Sequence, residues 1–240
     1  MSALFFADKI STYHTITGED ADHISRSLRM KPGEMITIAT SDGFFNECEI
    51  IEITSDSVKV KVKDVNKNAA EPNIKVTLFQ ALIKSDKIDT VIQKAVELGV
   101  YEIVPIITDR CISRPDEKTL AKKTARWQKI AKNAAMQSRR GIIPCIKPLM
   151  TLREAAQYAQ SLDKAIVYYE KGGEKTDSLI DKNTSSLGVF VGSEGGFDDK
   201  EIKYLNENNI NSATLGNRIL RTETAPLAAL CIIMHITDNM

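Results

Sequence analysis

Leu215-Gly216-Asn217-Arg218-Ile219-Leu220-Arg221-Thr222-Glu223-Thr224-Ala225 sets two arginines and a glutamate into an otherwise apolar stretch. A short strand-like run, residues 212–215, leads into it. An apolar helical run follows, with Pro226 in its first turn, where the missing N–H breaks no helix bond. Thr222 or Thr224 reads as the N-cap. Local chemistry leaves two readings open: a charged loop capping an apolar helix, or a site at the end of a strand. The next informative segment lies upstream. Leu187-Gly-Val-Phe-Val191 runs into Gly192-Ser-Glu-Gly-Gly-Phe197, and Asp198 opens another helix. Glycines at the carboxyl end of a parallel strand let a ligand approach the backbone closely. The run is neither GxGxxG nor a P-loop, so a nucleotide-dependent α/β enzyme is disfavoured.

Working outward, apolar periodicity predicts strands at 74–83, 102–107, 143–147, 164–169, 187–191 and 212–215. Helices are predicted at 86–98, 117–138, 151–161, 198–208 and 224–237. Alternation of this kind implies a parallel sheet covered on both faces, an α/β fold. Leu120, Trp127, Ile130, Ala131 and Ala134 share one helix side, which makes Trp127 a core residue rather than a base-stacking platform. The first 70 residues read differently. Segments 34–39, 44–53 and 57–62 alternate apolar and polar, Asp42-Gly43 signals a hairpin, and one short helix is expected over 18–28. Val58, Val60 and Val62 point to a core and Lys59, Lys61 and Lys63 to water. Closely spaced strands suggest a small barrel. The polar, proline-containing run 66–73 marks the boundary between a domain at 1–70 and one at 71–240.

A chain of 240 residues with 42% hydrophobic and 27% charged residues is ordinary for a globular protein. No apolar run reaches membrane-spanning length, and residues 1–10 lack the pattern of a signal peptide. Cys48, Cys111, Cys145 and Cys231 are too scattered for a metal site and read as buried free thiols in a reducing cytoplasm. Formal net charge is zero, but it is unevenly spread. Residues 110–148 hold 11 Lys and Arg against two acids, so the span carries +9 and the remainder −9. Such a block reads either as a solvated helix face or as a localised polyanion contact.

Taken together, the glycine turn and residues 215–225 resemble the C-terminal signature of the RsmE family in the SPOUT methyltransferase superfamily. Three further blocks resemble that family in order. They are His23-Ile-Ser-Arg-Ser-Leu-Arg-Met-Lys-Pro-Gly33; Gln93-Lys-Ala-Val-Glu-Leu-Gly-Val100 with Pro105 and Arg110; and Arg126-Trp-Gln-Lys-Ile-Ala131 with Gln137-Ser-Arg-Arg140 and Pro144. Ser193 stands where the family has proline, which removes a φ restraint but no chemical group. The resemblance implies S-adenosylmethionine-dependent methylation of N3 of a uridine in 16S ribosomal RNA, in the assembled 30S subunit. It also implies a SPOUT domain with a deep trefoil knot, a PUA-like N-terminal β-barrel and a homodimer.

On this resemblance the cofactor is held by Glu170, Val191, Gly192, Glu194, Gly195, Leu215, Gly216, Ile219, Leu220 and Arg221. The main chain of Leu215, Gly216, Ile219 and Leu220 serves the adenine; Gly192, Glu194 and Gly195 line the ribose and methionine side. Arg221 and Glu223 are the candidate catalytic residues, Glu223 as a base or as a partner orienting Arg221. Arg26, Arg29, Lys31, Arg110, Arg114, Arg126, Arg139 and Arg140 are the candidate RNA-binding residues. No metal and no membrane partner is expected. Two other readings stand beside this one: a different SPOUT methylation (ribose 2′-O or guanosine), and a non-catalytic RNA-binding assembly factor.

Overall fold

The computed structural model describes residues 2–240, the side chain of Ser85 excepted. The chain divides into two compact units, one formed by residues up to Glu71 with Ala135–Ile143, the other by Pro72–Ala134 with Pro144–Met240.

The first unit opens with β1 (Ala3–Ala7), β2 (Tyr13–Thr17) and α1 (Gly18–Asp22), which runs on into a π-helical turn His23–Ser27. It continues with β3 (Met35–Thr40), β4 (Phe44–Ile53) and β5 (Ser57–Lys67). The expected hairpin strands are all present, and the long β4–β5 pair is antiparallel. β1 and β2, of five residues each, were not anticipated. Strand order is β1-β3-β4-β5-β2, with β1 and β2 at the two edges and unpaired with each other among the described residues. The sheet is therefore a curled half-barrel rather than a closed barrel. Val58 and Val60 are buried in its core with Phe5, Ile24, Ile36, Ile38 and Ile50, and Val62 packs against them.

The second unit follows the alternating pattern: β6 (Lys75–Ala81), α2 (Ser85–Glu97), β7 (Glu102–Ile107), α3 (Glu117–Gln137), β8 (Cys145–Ile146), β9 (Met150–Thr151) and α4 (Leu152–Ala159). After these come β10 (Lys164–Tyr168), β11 (Glu174–Lys175), α5 (Thr176–Leu179), β12 (Ser186–Val191), α6 (Asp199–Glu207), β13 (Asn211–Thr214) and α7 (Ala225–Ile236). β9, β11 and α5 are too short to have been read from periodicity. Trp127 is buried, as its spacing implied. Cys48 and Cys111 are buried, whereas Cys145 is exposed and Cys231 half-buried, which corrects the uniform expectation for the thiols.

Every strand pair of this sheet is parallel. Its order, β11-β13-β10-β12-β6-β7-β8, inserts β12 between β6 and β10. That insertion is a topological switch, and open parallel sheets bind ligands at the carboxyl ends of strands beside such a point. Phe79 of β6 and Phe190 of β12 lock the junction, their rings stacked at 4.3 Å between centroids. Gly188 leaves room for this, since a Cβ there would come within 3.1 Å of the Phe79 ring. No helix among the described residues is long and apolar enough to cross a membrane.

Candidate cofactor and active site

The loops leaving β10, β12 and β13 at their carboxyl ends meet around a cavity of about 430 Å³. That volume lies within the range of pockets that take cofactor-sized ligands. Residues 168–170, 191–197, 214–216 and 218–223 line it, together with Lys87 from α2 and Ala225 from α7. All ten residues named from sequence as cofactor-binding lie on its wall, from Glu170 through Val191, Gly192, Glu194 and Gly195 to Leu215, Gly216, Ile219, Leu220 and Arg221. Glu223 lies there too.

The glycine turn forms the floor because nothing larger fits. A Cβ at Gly192 would stand 3.0 Å from the backbone of Gly196. Gly196 has φ +66°, and a Cβ there would stand 2.9 and 3.0 Å from the two carboxylate oxygens of Glu170. Arg110 grips the turn by donating to the Gly195 carbonyl at 3.0 Å and to Asp198 at 3.2 Å. Ser193 is buried and its hydroxyl donates to the Arg110 carbonyl at 3.3 Å, so the residue that replaces the family's proline contributes a tether of its own. Asp198 and Glu201 form a capping box that starts α6 immediately after the turn.

Residues 215–223 are tied to this floor by a contact that sequence reading assigned elsewhere. Thr222 or Thr224 was expected to cap α7, and Thr224 does occupy the N-cap position. The Thr222 hydroxyl instead donates to the Gly192 carbonyl at 2.8 Å, and neither threonine caps the helix with its side chain. The helix start is set by the backbone, with the N–H groups of Thr224 and Ala225 both donating to the Arg221 carbonyl. Beside this turn, Tyr169 and Lys171 both bond Asp199, the first residue of α6.

The charged rim also differs from expectation. Glu223 pairs with Lys87, not Arg221: the Lys87 Nζ lies 3.0 Å from Glu223 Oε2. That ammonium, with Glu223's own backbone N–H and more weakly Arg221, holds the Glu223 carboxyl below the usual carboxylate range. Glu223 Oε2 is thus engaged by a cation rather than left open to take a proton. Arg221 itself is exposed. Sequence reading missed Lys87 altogether, and no local signal marks it.

The candidate RNA-binding residues divide. Arg26, Arg29 and Lys31 are exposed on the first unit; Arg26 pairs with Asp22 one turn earlier, and Arg29 turns the chain with φ +54°. Arg110 holds the glycine turn, Arg114 donates to the carbonyls of Thr108 and Asp109, and Arg126 pairs with Asp89. Arg139 lies over the Phe45 ring and donates to the Ser2 carbonyl. Arg140 requires a correction. It is 3% exposed, and its Nε and Nη2 donate to the two oxygens of Glu71 at 2.8 and 2.7 Å. A guanidinium committed in this way braces the fold and presents nothing to a phosphate. Part of the basic block is consumed by such internal pairs, Lys147 with Glu102 among them. Among the described residues no three His, Cys, Asp or Glu side chains gather as a metal site.

A family model described as an RNA methyltransferase domain matches residues 70–234, and one described as an RNA methyltransferase PUA domain matches residues 16–63. Ribosomal RNA small subunit methyltransferase E of Bacillus subtilis is 37% identical over 232 residues, covering 93% of this chain and 90% of that protein. The chain belongs to the RsmE family of RNA methyltransferases. Among solved RsmE structures, the Neisseria gonorrhoeae enzyme bound to S-adenosylmethionine superposes with a TM-score of 0.89 at 30% identity, covering 98% of both chains. A Legionella pneumophila methyltransferase in complex with the same cofactor gives a TM-score of 0.90 at 27% identity, again covering 98% of both. The half-barrel and the parallel sheet described above are thus the two parts of an RsmE chain.

Proposed function

We propose that this protein uses S-adenosylmethionine to methylate N3 of a uridine in 16S ribosomal RNA, within the assembled 30S subunit in the cytoplasm. The observation that carries this reading is the glycine-floored cavity at the switch point, in a chain of the RsmE family.

The residues present suit the cofactor. Gly192, Gly195 and Gly196 leave the backbone of the turn bare at three positions, and Val191, Leu215, Ile219 and Leu220 supply apolar wall. The exposed carboxylates of Glu170 and Glu194 stand where a ligand carrying sulfonium and ammonium charges needs anions. Main-chain groups of Leu215, Gly216, Ile219 and Leu220 are assigned to the adenine, and Gly192, Glu194 and Gly195 to the ribose and methionine. When bound, the cofactor supplies a methyl group activated by positively charged sulfur.

The chain's own task is then to present N3. In a base pair that edge is occupied, so the uridine must be unstacked before it is reached. The N3–H is a weak imide acid, and charge moves onto O2 and O4 as the proton leaves, which calls for fixed cations beside the ring. Arg221 remains a candidate for that role or for a phosphate. Glu223 is assigned the orientation of a cation rather than proton removal. Arg26, Arg29, Lys31, Arg110, Arg114, Arg126 and Arg139 are assigned to the RNA, and Arg140 is withdrawn from that set.

A domain at 1–70 that holds RNA and a catalytic domain at 71–240 complete the reading. The insertion of β12 between β6 and β10 and the packing of α7 on α2 support a trefoil knot. Ile112 and Ile219, both about 80% exposed, support a homodimer through the second unit. The test is chemical. Small subunits and naked 16S RNA lacking the modification are incubated with protein and S-adenosylmethionine, digested, and their nucleosides resolved by mass spectrometry. 3-Methyluridine is expected with the particle; its absence from both substrates would refute the reading.

A further inference from the structure

The geometry points to Lys87 as a catalytic residue: its ammonium meets the uracil ring and donates to a carbonyl oxygen flanking N3, with Glu223 fixing it in place. This inference rests on the N3-uridine reading above and deepens it.

Lys87 lies in the first turn of α2, at the loop that leaves β6 beside the inserted strand β12. Its side chain and that of Glu223 are 29% and 27% exposed, so the pair is neither sunk in the core nor free in water. Both line the cavity, where a cofactor would fill the glycine floor and leave the outer wall to face a base. Glu223 engages one of the three ammonium hydrogens, and among the described residues no second acceptor is recorded for Lys87 Nζ. The charged groups that face the same cavity are Glu223, Arg221, Arg218, Glu194 and Glu170, and Asp86 precedes Lys87 on α2. Of the cations among these, Lys87 is the one seated by a hydrogen-bonded anion; Arg218 and Arg221 are exposed. A cation already oriented stabilises developing charge without reorganising at the moment of reaction. Glu223 Oε2 is already engaged by the Lys87 ammonium, so the N3 proton passes to water instead. The resulting anion, its charge shared with the oxygen that Lys87 holds, uses the N3 electron pair to bond the methyl carbon. The carbon–sulfur bond breaks as that bond forms, and its electron pair stays with sulfur.

The experiment compares wild type, Lys87→Met and Lys87→Arg in single-turnover methylation of the same unmodified small subunits across pH. Cofactor affinity of each is measured by calorimetry. Lys87→Met is expected to be slower by about 100-fold at neutral pH, with the deficit shrinking as pH rises and N3 ionises unaided. Lys87→Arg recovers part of the rate, and S-adenosylmethionine affinity stays within about twofold. Subunits carrying 5-fluorouridine, whose N3 is more acidic, restore Lys87→Met toward wild type. A Lys87→Met rate equal to wild type overturns the inference, and so does a deficit that is the same at every pH and untouched by fluorouridine. If wild type itself forms no 3-methyluridine, the N3-uridine reading falls and this inference with it; normal 3-methyluridine formation by both proteins removes only Lys87.

Discussion

Gly196→Ala is expected to weaken S-adenosylmethionine binding by ten- to a hundredfold, measured by calorimetry on protein whose circular dichroism is unchanged. Two effects act together. At φ +66° an L side chain meets its own carbonyl, at a cost of roughly 1–2 kcal/mol. The added methyl would also lie 2.9 Å from Glu170, so either that carboxylate or the turn must move. Each 1.4 kcal/mol is about a tenfold change in affinity. Gly216→Ala separates the two effects, because Gly216 also has positive φ but no atom within 4 Å of its would-be Cβ. It carries the backbone strain alone and should lose about tenfold or less. Equal affinities for wild type and Gly196→Ala would mean that the turn is not the floor of the site.

Glu71→Ala is expected to lower stability by about 3 kcal/mol. The substitution removes both carboxylate oxygens that accept from the Arg140 guanidinium, which is 3% exposed. It also removes the acceptor for the Gly141 N–H at 2.7 Å and the Ile142 N–H at 3.3 Å. For a chain of this size that corresponds to a fall in melting temperature of roughly 10 °C, read by thermal denaturation. Glu71→Gln, which keeps an acceptor, should lose less. The double variant Glu71→Ala with Arg140→Met should recover part of the loss, because the buried charge is removed together with the carboxylate that balanced it. A change below about 1 kcal/mol for Glu71→Ala would show that the pair contributes no more than an exposed one.

Much of the second unit was legible because its elements are long and strictly patterned. The α2 stop at Gly99 follows from its positive φ, and the buried strands 102–107 and 187–191 differ from observation by at most a residue. The cavity-lining residues were legible as motifs, since the glycine turn and residues 215–225 are each contiguous in sequence. Contacts between distant segments were not. Lys87 and Glu223 are 136 residues apart and meet because β12 lies between β6 and β10, and periodicity reveals strands but not their neighbours. Thr222 looked like a cap because a threonine before a helix usually is one; the Gly192 carbonyl that claims it becomes visible only when the two loops are side by side. Arg140 looked like part of a basic surface because its partner Glu71 is 69 residues away, outside the basic block. Charge counts along a sequence cannot separate a patch offered to RNA from one neutralised inside the fold.

Amide hydrogen exchange with and without S-adenosylmethionine tests the central claim most directly, because it reports where the cofactor is held in the intact chain. The account predicts slowed exchange in residues 192–197 and 215–223 and no change in β3, β4 and β5. Binding that left those two loops unprotected, or that protected the half-barrel instead, would contradict it.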